Sequence, residues 1–182
     1  MQFCTMLFLR GEQMQIYYTN IQFVERPIYI AWTTQGLCYV GSFIEKFEHL
    51  QAWAIKAFKN VTFTEQVAES IYTKQLMEYE LGVRQQFTCP VHLVGTAFQK
   101  QVWQALQEIP YGETVSYATI ANRIQNPQAV RAVGGAIGKN PVTIIIPCHR
   151  VISKDGKLTG FRGGLEMKKS LLNLEKEQIT AK

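Results

Sequence analysis

The sequence has no apolar run approaching the roughly 18 residues that a membrane-spanning helix needs. Its first ten residues lack the basic region, apolar stretch and small-residue cleavage site of a secretory signal peptide. Cysteine is scarce and scattered, with four in 182 residues and no CxxC pair, which argues against a disulfide framework. These absences predict a soluble, cytoplasmic protein without membrane contact. A hydrophobic content of 47% is ordinary for one globular domain or two small ones.

Positive charge is scarce in the first half of the chain. Residues 1–92 contain seven Lys and Arg against eight Asp and Glu, whereas residues 93–182 contain twelve against six. The net charge of +5 therefore comes from the second half. Such polarity favours a polyanionic partner, most simply nucleic acid. A solvated basic face would explain the same counts, so charge alone does not decide.

The first half has the patterns of a mixed α/β unit and no catalytic motif. Short β-branched and aromatic segments and one apolar stretch at helical spacing predict strands over 15–18, 28–32 and 37–40 and a helix over 43–59. Pro90 favours an edge strand or a linker over 87–94. The spacing of the metal-ligand types matches no compact zinc pattern, so we predict no metal site from Cys4, Cys38, His49 and His92.

The second half of the sequence predicts a series of helices separated by short turns. Thr96 and Gln99 fit a capping box ahead of an amphipathic stretch that ends before Pro110. A second helix is predicted to begin near Ser116. After a short turn with Asn126 as the N-cap, a third is predicted over 128–137. Helix, tight turn and helix is the geometry of a helix-turn-helix unit, although many helical hairpins share it.

The third helix is unusually slim. Its small residues are Ala129, Ala132, Gly134, Gly135 and Ala136. Each glycine costs about 1 kcal/mol in a helix interior, so their presence needs a reason. Either another helix packs closely there, or a DNA backbone and groove floor do. Arg131 projects from this helix, as a DNA contact or as an ordinary surface arginine in a salt bridge.

The pentapeptide Pro147-Cys148-His149-Arg150-Val151 carries the chemistry of the chain. It follows the apolar run Ile144-Ile145-Ile146, which predicts burial. A cysteine reacts as its thiolate, and a neighbouring histidine is a candidate base for forming it. From these residues alone, a protease, a redox sensor and a methyl acceptor all remain open.

From Gly95 to Glu175 the sequence resembles the O6-alkylguanine-DNA alkyltransferases. The matching stretches are Gly95-Thr96, Phe98-Gln99, Val102-Trp103, Ile109-Pro110, Ser116-Tyr117, 131–136, Asn140-Pro141, 146–152, 163–165 and Leu171-Leu172. The resemblance implies an α+β fold, with a small ribonuclease-H-like α/β domain over 1–92. A mostly helical domain over 93–182 would then hold the helix-turn-helix and the reactive cysteine.

The resemblance also implies a function. The protein would bind double-stranded DNA in the minor groove, flip O6-alkylguanine out of the stack and transfer the alkyl group irreversibly to Cys148. It would act once per molecule, as a monomer, with no cofactor and no metal, and O4-alkylthymine would be a second substrate. Arg131 would fill the hole left by the base, and Tyr117 would crowd the neighbouring phosphate. The remaining implied DNA contacts are Ala129, Ala132, Gly134 and Gly135.

The implied reaction centre is a Cys-His-Glu relay. The implied catalytic residues are Cys148, His149, Glu175, Asn140 and Tyr117, and the implied base pocket consists of Pro147, Val151, Phe161, Arg162 and Gly163. If the cysteine segment is extended, His149 would reach the sulfur through a water. Phe161 stands where the family often has tyrosine, so stacking survives but a phenolic hydrogen bond is lost. Arg162 would approach the flipped nucleotide or face solvent.

Three alternatives compete with this interpretation. A non-repairing alkyltransferase-like protein would replace the reactive cysteine, typically by tryptophan, and Cys148 is intact. A helix-turn-helix regulator would need neither the Cys148-His149 pair nor two adjacent glycines. A cysteine hydrolase would leave the DNA-binding unit unexplained.

Overall fold

The N-terminal part of the protein is built on a four-stranded sheet. The computed structural model describes residues 13–67 and 69–180, so Cys4 lies outside the described residues. The strands are β1 (Met14–Phe23), β2 (Arg26–Thr33), β3 (Gly36–Val40) and β4 (Val61–Glu65), in the order β3-β2-β1-β4. The first three form an antiparallel meander, and β4 pairs parallel to β1 after a helical crossover.

Two helices complete this part, α1 (Phe47–Phe58) and α2 (Ile71–Glu80). Helix α1 lies inside the predicted range 43–59. All five residues of β3 are buried because the strand is covered on both faces. Cys38 and Tyr39 pack in a cluster with Leu50 of α1, whereas Leu37 and Val40 belong to the main core.

The C-terminal part is helical. Its helices are α3 (Ala97–Gln107), α4 (Tyr117–Arg123), α5 (Val130–Ile137) and α6 (Gly164–Thr180). Thr96 forms the predicted capping box with Gln99, and the Ser116 side chain caps α4 by accepting from Thr119 N. Both helix starts follow from local hydrogen bonding, because the cap satisfies backbone N–H groups that lack a partner within the helix.

The turn before α5 differs from the prediction. Residues Pro127–Ala129 form a single 3-10 turn, and the α-helix begins only at Val130. The Asn126 side chain makes no capping hydrogen bond. The Asn126 carbonyl instead accepts from Ala129 N at 3.0 Å, so a main-chain hydrogen bond replaces the predicted side-chain cap.

The two parts of the chain share one hydrophobic core, which contains Ile30 and Leu76 together with Trp103 and Ile146. Strand β3 joins them through the backbone: Leu37 N donates to Pro90 O, and Val40 N donates to Pro141 O, both at 2.9 Å. Pro90 therefore lies beside a strand edge, where its missing N–H costs nothing. The division at residues 92 and 93 stays a prediction. No helix within 13–67 and 69–180 is both long and apolar enough to cross a membrane.

Candidate active site

Cys148 is buried at the start of a short 3-10 turn, Cys148–Arg150, and only 2% of its surface is exposed. The preceding run 144–146 is buried, as predicted. It is not extended, however, because Ile144 adopts φ 71°, a left-handed conformation that β-branched residues rarely take. Arg150 N closes the turn on Pro147 O at 3.1 Å. The cysteine segment itself is therefore not extended, and extension begins only with the two-residue strand β6 (Val151–Ile152), which pairs with β5 (Val115–Ser116).

Asn140 holds the sulfur in place. Its side-chain amide donates to Cys148 Sγ at 3.1 Å and to Ile146 O at 2.9 Å, while its Oδ1 accepts from Val142 N. Burial raises the pKa of the Cys148 thiol, against the bond from Asn140 and the positive charges of Arg162 and Lys168. The resting sulfur is thus a thiol that needs a base before it can attack.

His149 and Glu175 form a fully buried pair, with 2.8 Å between Nε2 and Oε1. Burial alone would raise the pKa of Glu175, but bonds and charge from His149 and Arg150 outweigh it and lower the pKa to about 2. Burial lowers the pKa of His149, against the pull of Glu175. An ionised carboxylate only accepts, so Nε2 carries the proton of the neutral imidazole and Nδ1 is its basic nitrogen. Nδ1 is buried without a hydrogen-bond partner among the described residues.

Arg150 is a member of this cluster that sequence reasoning did not select. Its guanidinium donates to both oxygens of Glu175 and to Ile109 O, at 2.6–3.1 Å. The signal was present, because an arginine in a buried pentapeptide requires a carboxylate. Tyr79 donates its hydroxyl to Glu175 Oε1 at 2.6 Å. No local pattern could have predicted that contact, since Tyr79 lies 96 residues earlier in the chain.

Lys168 is a second missed residue. It is fully buried, and its Nζ donates to Val151 O at 2.6 Å and to Thr159 O at 2.9 Å. Burial lowers its pKa. Thr159 O also accepts from the Tyr117 hydroxyl at 3.3 Å. Lys168 therefore connects the strand that follows the cysteine with the loop that meets Tyr117.

The predicted pocket residues fall into two groups. Pro147, Val151 and Gly163 are buried and Phe161 is half-buried. A side chain at Gly163 would begin 2.7 Å from both the Met167 sulfur and the Phe161 ring, so any larger residue would force these side chains to move. The fifth predicted pocket residue, Arg162, is instead bound through its guanidinium to other parts of the protein.

Arg162 does not face solvent, because its guanidinium is bound inside the protein. Its guanidinium makes two bonds of 2.9 Å to the Glu45 carboxylate and one of 2.7 Å to Asn140 O. It also lies 4.7 Å from the centre of the Tyr39 ring. The solvent-facing alternative for Arg162 is therefore wrong, whereas its approach to a flipped nucleotide stays a prediction. The contact with Glu45 ties the N-terminal part to the residue that holds the sulfur. The sequence could not predict it, because Glu45 lies 117 residues away.

The slim helix α5 lies at the surface beside Tyr117. Arg131, Ala132 and Gly135 are exposed and Ala129 and Gly134 half-buried, and a surface groove is lined by Tyr117, Gln128, Val130, Arg131 and Gly134. A Cβ at Gly135 would meet nothing within 4 Å, and one at Gly134 only the Tyr117 ring at 3.8 Å. Packing within the protein therefore explains neither glycine. In the described part of the chain, no carboxylate forms a salt bridge with Arg131.

Residues 13–67 and 69–180 contain no group of three or more His, Cys, Asp or Glu side chains that could hold a metal ion. Cys38 and Cys89 are buried free thiols. The Thr33 hydroxyl is hydrogen-bonded to His92 Nδ1, and His49 Nδ1 accepts a hydrogen bond from Lys46 N at the start of α1. These four residues thus have separate structural surroundings.

Comparison with known proteins identifies the family. Residues 97–177 match the family model for the DNA-binding domain of 6-O-methylguanine DNA methyltransferase. The chain is 51% identical over 162 residues to the inducible methylated-DNA–protein-cysteine methyltransferase of Bacillus subtilis, covering 88% of this chain and 90% of that one. It is 43% identical to a methylated-DNA–protein-cysteine methyltransferase of Methanosarcina acetivorans, covering 88% and 98%.

Solved structures agree with this result. The crystal structure of Mycobacterium tuberculosis O6-methylguanine methyltransferase matches with a TM-score of 0.78 at 40% identity, covering 90% of this chain and 94% of that one. The same enzyme in complex with DNA matches with a TM-score of 0.76 at 40% identity, covering 89% and 94%. The α+β fold class is confirmed. This chain belongs to the methylated-DNA–protein-cysteine methyltransferase family.

Proposed function

We propose that this protein repairs DNA by direct reversal of damage. It binds double-stranded DNA, flips O6-alkylguanine out of the stack and moves the alkyl group from O6 to its own Cys148. The observation that carries the proposal is the buried thiol held by Asn140 beside the His149–Glu175 pair, in a chain of this family. Since a thioether is not reversed by any group in the site, each molecule acts once.

The chemistry is a displacement at carbon. The neutral His149 takes the thiol proton on Nδ1, through a bridging water in the mechanism that the family resemblance implies. The thiolate then attacks the alkyl carbon, the carbon–oxygen bond breaks, and its electron pair goes to the purine. The imidazolium returns the proton to guanine, so the products are S-alkylcysteine and an unmodified base. Glu175 accepts from Nε2–H, which orients the ring and stabilises the transient positive charge.

Burial of the thiol contributes to the control of this reaction. The raised pKa of Cys148 keeps the sulfur protonated at neutral pH, so the nucleophile forms only by proton transfer to His149. A thiol in this state is a poor target for stray oxidants and electrophiles. Asn140 then stabilises the thiolate as it forms, because a hydrogen bond to an ionised acceptor is stronger than one to a neutral group.

The surface of α5 supports the DNA half of the proposal. A narrow minor groove admits only a thin helix, and α5 exposes alanine and glycine that serve no packing purpose inside the protein. Arg131 is free of carboxylate partners in the described residues, as a residue inserted into a base stack requires. Tyr117 lies beside it and meets the nearest phosphate in this proposal. Extruding a base costs a few kcal/mol, and less for a damaged pair.

The extruded base would stack on Phe161 and lie along Pro147, Val151 and Gly163. We do not include the Arg162 side chain among these contacts, because the Glu45 carboxylate already binds it. The proposal extends to O4-alkylthymine as a second substrate and to a monomer acting on one lesion. The free thiols fit a reducing compartment, so the proposed place of action is the cytoplasm, on chromosomal DNA.

A duplex with one isotopically labelled O6-methylguanine tests the proposal. After mixing with excess DNA, mass spectrometry is expected to find one methyl group per protein molecule, on Cys148. Cys148→Ala should accept none and still bind the duplex, whereas Cys89→Ala, a matched buried cysteine, should accept the label as the unmodified protein does. Label on Cys38 or Cys89, or methyl removal beyond one equivalent, would overturn the proposal.

A further inference from the structure

The N-terminal part of the protein reaches into the relay through one hydroxyl group. Tyr79 lies in the last turn of α2, is fully buried, and donates its hydroxyl to Glu175 Oε1 at 2.6 Å. Its ring is fixed by three aromatic neighbours, with centroid distances of 6.4 Å to Phe23, 5.3 Å to Phe87 and 5.8 Å to Tyr111. The hydroxyl therefore has little freedom to point elsewhere.

We infer that Tyr79 is a positioning residue for alkyl transfer: its hydroxyl holds Glu175 so that the carboxylate orients His149 without over-stabilising the imidazolium. The inference rests on the proposed function. It gives the N-terminal part a role in the reaction that the sequence analysis did not assign to it.

The hydrogen bonds of Glu175 show why one hydroxyl matters. Oε1 accepts from Tyr79, His149 and Arg150, and Oε2 accepts from Gly112 N at 2.9 Å and from Arg150. Among these donors to Glu175, Tyr79 and neutral His149 are the two uncharged side chains. Burial and the neighbouring Glu175 hold the pKa of Tyr79 well above its ordinary value, so it stays a donor at every working pH.

The expected effect on His149 has a definite direction. The charged and titratable groups around His149 are Glu175 and Lys168 from α6, Arg150 and Cys148 from the 3-10 turn, and Tyr79 from α2 through Glu175. A donor to a carboxylate withdraws negative charge from its other contacts. Without the Tyr79 hydroxyl, Glu175 attracts the imidazolium more strongly and the His149 pKa rises. A base with a raised pKa is lost to protonation at a higher pH, so the acid limb of the transfer rate moves upward.

Tyr79→Phe isolates the hydroxyl, because the ring and its packing remain. Tyr72→Phe is the matched control: Tyr72 lies on the same helix, is also buried, and packs on Trp32 instead of on the relay. The measurement is the single-turnover methyl-transfer rate on O6-methylguanine duplex between about pH 5 and about pH 9, together with the affinity for unmodified duplex. In parallel, NMR follows the titration of His149 in each protein.

We expect Tyr79→Phe to transfer one methyl group per molecule but about tenfold more slowly near neutral pH. Its acid limb and its His149 midpoint should both lie higher than in the unmodified protein, with DNA affinity unchanged. Tyr72→Phe should match the unmodified protein in rate and in both titrations.

Two results would overturn the inference. One is a Tyr79→Phe protein with the rate profile and the His149 midpoint of the unmodified protein. The other is a rate loss that is equal at every pH and is matched by Tyr72→Phe, which would indicate a packing role only. If the unmodified protein transfers no methyl group, the proposed function fails by itself. The His149 midpoint still decides whether Tyr79 acts on the relay.

Discussion

The two parts of the molecule bury different kinds of side chains. The buried polar residues of the N-terminal part are all uncharged: Thr19, Thr33, Ser42, Thr73 and Gln75. Those of the C-terminal part are Asn140, Thr143, His149, Arg150, Lys168 and Glu175. Every buried Arg, Lys, His or Glu in residues 13–67 and 69–180 thus lies after residue 140. The N-terminal part is held by apolar and aromatic packing, such as the contact of Phe47 with Tyr18 at 4.4 Å.

The buried charged groups of the C-terminal part are explained better by chemistry than by stability. A buried ion pair seldom stabilises a fold more than apolar residues of the same size would, because desolvation offsets the attraction. Four charged or titratable groups, His149, Arg150, Lys168 and Glu175, are nevertheless buried in the part that holds the thiol. We attribute their presence to their effect on the sulfur and on the relay in the proposed reaction. The N-terminal part supplies the apolar wall around them and two polar contacts, Tyr79 to Glu175 and Glu45 to Arg162.

The largest effect on stability is expected from Glu175→Gln. The amide leaves the Arg150 charge buried without its counter-ion, and breaking such a pair costs about 3–5 kcal/mol. Urea unfolding followed by circular dichroism measures it. Glu177→Gln is the matched control, because Glu177 is exposed on the same helix. A Glu175→Gln protein as stable as this control would contradict the assignment of Arg150 and Glu175 as a coupled pair.

The same variant should lose part of the pH dependence of stability. The pKa of Glu175 is about 2 in the folded protein, against an ordinary value of about 4.5. Glu175 therefore contributes stability that is complete above about pH 4.5 and is lost as the pH falls toward 2. His149, whose folded pKa is lowered, adds a loss that begins below about pH 6.5, because only the unfolded chain then takes up the proton. The decrease in unfolding free energy below pH 4.5, on the order of 3 kcal/mol, should be absent in Glu175→Gln.

A smaller effect is expected where the two parts of the chain meet. Glu45→Gln removes the charge that binds Arg162, in a pair whose side chains are 12% and 16% exposed. Unfolding free energy should fall by about 1–2 kcal/mol, and the methyl-transfer rate several-fold, since Arg162 also holds Asn140 O. Glu65→Gln, an exposed change on β4, is the control. Equal stability and equal transfer rates for the two variants would show that this contact is incidental.

The smallest effect on stability has the opposite sign. Gly135→Ala should raise the unfolding free energy by up to about 1 kcal/mol, because alanine favours the helix and its Cβ meets nothing within 4 Å. Affinity for duplex DNA should fall by about tenfold, since the added methyl group occupies the proposed groove contact. Asn173→Ala, an exposed change on α6, is expected to raise stability without changing DNA affinity. A Gly135→Ala protein with unchanged DNA affinity would contradict the role of α5.

Much of the C-terminal part could be predicted because its signals are local. The Thr96 and Ser116 caps involve backbone groups three residues away, and the burial of 144–146 follows from an unbroken apolar run. The interpretation failed at the turn after Asn126, where a main-chain hydrogen bond replaces the predicted side-chain cap. The left-handed conformation of Ile144 was not predicted either. Neither leaves a distinctive pattern in the sequence.

The sequence by itself indicated which groups are proposed to perform the chemistry: a cysteine and a histidine side by side, a carboxylate that the family resemblance implies, and a slim helix with one arginine. Only the tertiary structure decided how those groups are controlled. Tyr79 and Glu45 contact residues 96 and 117 positions away, and such contacts follow from packing that no short window of sequence encodes. The thiol is buried and protonated at rest for the same reason. Its surroundings exist only when the core shared by both parts has closed around it.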